Sequence, residues 1–353
     1  MLICQPDECL DTLETGKPYP LKMAWINSTN LYACINAAPE RWYRALQKME
    51  FTVIQELFMT PSAMALADIF LPMATFPEHD GVVLPHFGRN TNMICAMNKA
   101  MEVGDCRSDL EICIELGKRL NPEAWPWNNA AEFFSDQFKT TVNTDFDGLR
   151  ELGVFQPEYV YKKYEKGLLR ADGEPGFETM TGKVELISQI LEAWGEDPLP
   201  YYEEPPYSPY STPDLCKEYP LILTTGERTW SYFHSEQKQV PTLREITPDP
   251  IVEIHPDTAA TLGIIEGDWV CIENMFGKAR QKAHLTPTIH PKVVHGVHAW
   301  WYPEQDMEEP NLGGVWKSNI NMLVPHKHIG RLGQAAPYKS LICKVYKVKG
   351  LEE

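Results

Sequence analysis

The residues best able to do chemistry gather where hydroxyls, an imidazole and a glycine follow an apolar run. Thr224-Thr-Gly-Glu-Arg-Thr-Trp-Ser-Tyr-Phe-His-Ser235 leaves a buried strand at Thr225 and Gly226. Glycine lets a ligand approach the backbone there, and outward N–H and O–H groups suit a phosphate or a polar heterocycle. The same residues also describe a plain strand-to-loop turn. Two histidine pairs, His295-x-x-His298 and His326-x-His328, have the composition of a chelate. The first lies in Val293-Val-His-Gly-Val-His-Ala-Trp300, which reads as a strand, and a strand sends residues three apart to opposite faces. No carboxylate or cysteine stands at ligand spacing, so both pairs are expected to be structural. Glu203–Glu204 and Glu308–Glu309 sit in loop-like surroundings, where solvation rather than acid–base work is expected. Trp300-Trp-Tyr302 and Trp316 flank Asn311-Leu-Gly-Gly314, either as a ligand wall or as packing under a long loop. Gly-x-Ser-x-Gly, His-Glu-x-x-His, P-loop and Gly-x-Gly-x-x-Gly patterns are all missing, which removes the common hydrolase and nucleotide-fold readings.

The elements that must position these residues come from a chain of 353 residues, 43% hydrophobic and 23% charged. That is ordinary for a globular protein of two or three domains and excludes a disordered tail, a collagen or a coiled coil. The formal charge of −17 argues against a nucleic-acid partner, while leaving room for a small anion held by local N–H groups. Nine cysteines, at 4, 9, 34, 95, 106, 113, 216, 271 and 343, include no Cys-x-x-Cys. Reduced thiols in a cytoplasmic setting are expected, with neither a zinc site nor an iron–sulfur signature. No apolar run is long enough for a membrane span, and the first residues lack the basic and apolar regions of a signal peptide.

A boundary is expected in Glu196–Asp214, which holds six prolines and no lysine or arginine and reads as an extended surface connector. Before it, helix-like Pro39–Met49, the strand-like run Phe51–Gln55, a helix over Ser62–Ala67 and a second strand-like run Asp68–Pro72 alternate as in a parallel α/β layer. Ser108-Asp-Leu-Glu111 has the spacing of a capping box, opening a helix with Leu110, Cys113, Ile114 and Leu120 on one face. Residues 129–215 are expected to form an irregular helical insertion and the connector. After them come Tyr219–Thr225, Ile251–Ile254, Asp268–Glu273 and Lys278–Leu285, short strands that suggest a closed barrel. The expected domains are therefore 1–128, 129–215 and 216–353, an α/β part followed by a β-barrel.

Taken in order, three stretches resemble the C-terminal half of a molybdopterin-dependent oxidoreductase of the dimethyl sulfoxide reductase family. Trp25-Ile-Asn-Ser-Thr-Asn30 is similar to a family loop, with Ser28 where glycine is common and Leu31 where proline is common. Val53-Ile-Gln-Glu-Leu-Phe-Met-Thr-Pro-Ser-Ala63, Ala67-Asp-Ile-Phe-Leu-Pro72 and Glu78-His-Asp-Gly81 resemble the family's strand, helix and ADxxLP segment. Glu56 stands where aspartate is frequent, and Pro61 where glutamate is. Leu223-Thr-Thr-Gly-Glu-Arg228, Phe233-His-Ser235, His255-Pro-Asp-Thr-Ala259, Leu262–Val270 and Ser318-Asn-Ile-Asn321 then resemble the molybdopterin dinucleotide-binding domain, a double-psi β-barrel. Glu227 sits where the family often has arginine, with Arg228 next.

The resemblance implies bis(molybdopterin guanine dinucleotide) carrying molybdenum or tungsten. One guanosine end would meet Asn30, Gln55, Glu56, Thr60 and Asp68. The other would meet Thr225, Gly226, His234, Ser235 and Asn319. It implies no catalytic residue and no metal ligand in this stretch, and places a 4Fe–4S cluster in a preceding part. A small-molecule substrate and an electron-transfer iron–sulfur subunit are the partners it suggests. The expected function is that of the cofactor-binding C-terminal segment of a molybdenum or tungsten bis-pterin oxidoreductase, lacking the iron–sulfur and metal-ligand part and inactive alone; a free-standing pterin-nucleotide module and an independent barrel enzyme are the competing readings.

Overall fold

Phe51–Gln55 becomes the middle of a parallel sheet. In the computed structural model, which describes residues 6–35, 37–84, 93–227, 229–326 and 336–352, β1 (Met23–Asn27), β2 (Phe51–Glu56) and β3 (Ile69–Pro72) lie in the order β1-β2-β3. Both pairings are parallel. Ile26 and Ile54 pack with Trp42, Ala45 and Leu46 of the helix Pro39–Leu46 and with Ala63 and Leu66 of the helix Pro61–Leu66. Right-handed crossovers that step the same way along a sheet put their helices on one face. Proline opens both helices, where its missing N–H has no partner to lose.

The chain then builds a second compact unit, Ala74–Glu203. Its antiparallel strands β4 (Gly81–Val83), β5 (Ile94–Met97) and β6 (Val154–Phe155) accompany helices Asp109–Leu120, Ala130–Val142 and Phe146–Leu152. Ile94, Val142, Phe146 and Leu149 form the core. The capping box is present: Ser108 Oγ accepts from Glu111 N at 3.3 Å, and Glu111 Oε2 accepts from Ser108 N at 2.8 Å. The buried face of that helix differs from the expected one. Ile114 and Gly117 are buried, whereas Cys113 and Leu120 are exposed. A Cβ on Gly117 would stand 2.3 Å from the Trp125 ring, so the indole packs on the backbone and sets the inward face.

The remaining strands close a barrel: β7 (Leu221–Glu227), β8 (Ile251–Ile254), β9 (Trp269–Glu273), β10 (Lys278–Leu285), β11 (Val293–Val297) and β12 (Leu341–Lys347). Their order is β10-β8-β11-β7-β12-β9, with β7/β11 and β8/β10 parallel and the other neighbours antiparallel. Along β10, Ala279, Gln281 and Ala283 are buried between more open Arg280, Lys282 and His284, the expected period of two. Asn274 Oδ1 accepts from Phe276 N and Gly277 N and shapes the β9–β10 turn. The helix Pro256–Leu262 ends at Gly263 in a left-handed cap, as its sequence requires.

Contacts divide the chain otherwise than the expected borders at 128 and 215. Met1–Met73 and Glu204–Glu353 form one unit, because Ile26, Ile54 and Tyr32 share an apolar cluster with Trp301, Leu312 and Val315. The proline-rich connector contains the return crossing at Glu204, but it is not simply extended: Ser208 Oγ accepts from Tyr210 N and Ser211 N, both at 3.1 Å, in a tight turn. Among the described residues no helix is long and apolar enough to cross a membrane.

Candidate functional site

The loop after β1 is the meeting point. Residues Leu31–Ile35 form a short π-helix, and the backbone of this segment is held from two sides. From the sheet side, Ser62 Oγ donates to Asn30 Oδ1 at 2.7 Å and accepts from Tyr32 N at 3.1 Å. From the barrel side, Asn319 Nδ2 donates to Tyr32 O at 2.5 Å and Asn321 Nδ2 to Cys34 O at 3.1 Å. Ser235 lies within hydrogen-bonding reach of the Cys34 thiol, which burial pushes up in pKa and keeps protonated. Trp301 Nε1 donates to Ser235 O at 3.0 Å. Ser62, Ser235, Asn319 and Asn321, from segments far apart in the chain, thus meet at residues 30–34.

Around the β2 end the polar side chains mostly accept from backbone N–H groups. Gln55 Oε1 accepts from the Trp25 indole, and Gln55 O accepts from Ser28 N at 2.9 Å. Thr60 Oγ1 accepts from Ala63 N at 3.2 Å as the cap of its helix. Asp68, an exposed residue, takes Thr52 N on Oδ2 at 2.7 Å and pins the β2–β3 crossover. Glu56 is buried, with Oε2 on Leu57 N at 2.7 Å. Asn30 is buried as well, and its Nδ2 has no partner.

The β7 end is unusual in its backbone. Thr225 donates through both N and Oγ1 to Tyr338 O at 3.0 Å, while Lys339 Nζ donates to Thr225 O. Gly226 has φ +93° and a Cβ there would stand 2.8 Å from Lys339 Nζ. His234 holds φ 54°, a left-handed conformation costing about 1–2 kcal/mol for a residue with a Cβ. Its Nδ1 lies 2.7 Å from His298 Nε2, so one ring donates and the other must present a bare nitrogen. His295 instead meets Thr224 Oγ1 at 2.6 Å. The histidines of the His295-x-x-His298 motif therefore part company, and β11 ends at Val297, short of the expected Trp300. Among the described residues no three His, Cys, Asp or Glu side chains form a metal site. Asn319 is fully buried, and both halves of its amide are committed: Nδ2 to Tyr32 O, Oδ1 to Asn321 N at 3.0 Å. Arg228, His328 and Cys4 lie outside the described residues.

Lys238 was not singled out in the sequence. It is 1% exposed, with Nζ 4.1 Å from the Tyr232 ring centre and 3.9 Å from that of Trp300. Burial first, then the charge of Arg244, pushes its pKa down to about 7. His234, His298 and Thr229 line the same small cavity. Only its three-dimensional neighbours reveal it, since Lys238 and Trp300 are far apart in sequence.

Comparison with known proteins fits this geometry. Residues 5–119 match the model of the family described as molybdopterin oxidoreductase. Residues 221–342 match the molydopterin dinucleotide binding domain. The chain belongs to the molybdopterin oxidoreductase family. Acetylene hydratase from Pelobacter acetylenicus superposes with a TM-score of 0.87 at 28% identity, over 98% of this chain and 47% of that one. Dopamine dehydroxylase of Eggerthella lenta is 29% identical over 98% of this chain and 40% of its own length. Dimethyl sulfoxide reductase DmsA of Escherichia coli is 29% identical over 93% of this chain and 42% of its own length. The chain thus spans less than half the length of these relatives.

The cofactor of this family member is bis(molybdopterin guanine dinucleotide) with molybdenum or tungsten. The donor set fits the dinucleotide. Asn30 Nδ2 and Gln239 Oε1 are buried without partners, an arrangement that costs about 1–3 kcal/mol per group unless something polar arrives. Gln239 also reaches the loop after β2, donating from Nε2 to Met59 O at 3.5 Å.

Proposed function

We propose that this chain clamps the two nucleotide arms of the pterin cofactor in a molybdenum or tungsten enzyme acting on a small molecule. When bound, the group supplies redox, oxygen-atom or hydroxyl transfer, and the protein orients it. Glu56 is the acceptor suited to a guanine edge or ribose hydroxyl at the first turn, and Asn30 Nδ2 is a buried donor in the loop after β1. At the second turn the Gly226 backbone, beside Lys339, and the His234–His298 pair hold the other arm. Asn319, Gln55, Thr60 and Asp68 position the loops that carry these groups. The barrel would be of the double-psi type. A separate iron–sulfur subunit, a 4Fe–4S cluster in a preceding part and a cytoplasmic setting belong to the same proposal.

The observation carrying this reading is that Ser62, after β2, and Asn319, from the barrel part, both hold the loop after β1, where Asn30 Nδ2 is buried without a partner. Calorimetric titration of the chain with guanosine diphosphate tests it. Binding should weaken at least about tenfold in Glu56→Ala and in His234→Ala, the loss of roughly one charge-assisted contact. Equal affinity for adenosine diphosphate, or variants indistinguishable from wild type, would defeat it.

A further inference from the structure

Four residues past His234 the fold buries an ammonium group and gives it no negative partner. Lys238 Nζ stands over the rings of Tyr232 and Trp300. Among the described residues no carboxylate pairs with it and no acceptor takes its N–H groups. Two ring faces return about 2 kcal/mol each at best, whereas taking an ammonium out of water costs several kcal/mol. The neighbouring groups do not close that gap. Arg244, whose charge opposes that of Lys238, is itself paired with Glu304. Burial raises the pKa values of Cys34 and Tyr232, so both stay neutral. His234 and His298 share a hydrogen bond and bring no negative charge. Two cations and one carboxylate leave one positive charge over.

The same place holds a cavity of about 10 Å³, lined by Lys238, Trp300, Thr229 and Val297 together with the two histidines. That is room for one particle of about the size of a water molecule. Trp300 is fully buried, and its Nε1–H meets no acceptor among the described residues. An ammonium over the indole face is within a few ångströms of the N–H on the indole edge, so one acceptor serves both donors. Ring faces are electronegative and ring edges electropositive, which suits a cation above the indole and an anion beside it. A water molecule accepts from these donors but leaves the charge standing. A phosphoryl group brings up to two charges and three acceptor oxygens, more than this space and these donors satisfy.

We infer that this cavity is a binding site for a single monovalent inorganic anion of halide size, held by Lys238 Nζ, Trp300 Nε1 and the Thr229 hydroxyl. The inference goes beyond the proposed function and stands without it.

Thermal melting of the full chain tests it, in sodium chloride, bromide or phosphate against sodium gluconate at equal ionic strength. Chloride and bromide should raise the midpoint by at least about 2 °C and saturate, because a ligand of the folded state alone stabilises by mass action. The anion needs the protonated amine, whose pKa burial and then Arg244 hold down to about 7. Its apparent affinity should therefore be level below pH 7 and fall about tenfold per pH unit above it. Lys238→Met keeps the bulk, removes the charge, and should fold without a chloride response. Trp300→Phe keeps a ring face, removes the N–H, and should bind chloride at least about fivefold more weakly with the same pH dependence. In crystals soaked in sodium bromide, anomalous scattering should place bromide within hydrogen-bonding distance of Lys238 Nζ. A chloride response unchanged in Lys238→Met, an affinity level from pH 6 to pH 9, a stronger saturable response to phosphate, or bromide found only elsewhere would each overturn the inference.

Discussion

The turns after β2 and β7 solve the same problem by opposite means. After β2 side chains hold the chain in place: Thr60 caps a helix, exposed Asp68 takes Thr52 N, and Gln55 braces an indole. After β7 the backbone carries the cost, with Gly226 and His234 both at positive φ. The first turn is built from side chains that hold backbone N–H groups; the second from main chain at positive φ whose groups are braced by Tyr338 and Lys339. A residue type matched to chemistry can thus serve geometry instead, and burial with a full set of partners tells the two apart.

The sharpest way to break that contrast is Asn319→Leu. Asn319 belongs by sequence to the β7 side, yet it secures the loop beside the β2 side. Its loss should cost about 3 kcal/mol in urea unfolding, because Tyr32 O loses its donor in a buried place, and nucleotide binding should weaken at both turns together. Loss of binding at one turn alone would show the turns to be independent.

Lys238→Met should move stability the other way. The folded chain holds this amine with a pKa of about 7, while an unfolded lysine keeps its proton to about 10.5. Between those values the unfolded state binds the extra proton, so this group makes the wild type more stable as pH rises; below about 7 the penalty is complete. The variant should gain about 2 kcal/mol near pH 6.5, and its advantage should shrink toward pH 10 in paired thermal melts. A constant difference across that range would mean that the amine is not desolvated.

Thr60→Ala should have the smallest effect. It removes a helix cap worth about 1 kcal/mol by urea unfolding, with guanosine diphosphate affinity kept within about twofold. A larger drop in affinity would move Thr60 from scaffold to ligand contact.

Local signals were legible in the sequence where the physics is local. The Ser108–Glu111 box, the Pro256–Gly263 helix and the alternation along β10 each depend on neighbours within a few residues. The ordered motifs also identified both turns. What the sequence could not supply was the engagement of individual side chains, because the partners of Asn319, Gln55 and Lys238 come from distant segments. The same reason hides the crossing at Met73–Ala74: no proline cluster or charge run marks it, and only the pairing of residues 23–72 with the barrel's neighbourhood sets the border.

The Asn319–Tyr32 and Asn321–Cys34 bonds each join residues 287 positions apart. A ribosome must therefore finish nearly the whole barrel before the segment after β1 can take its final shape. Contacts of such sequence separation form late, so this segment settles only after residue 321 has been made.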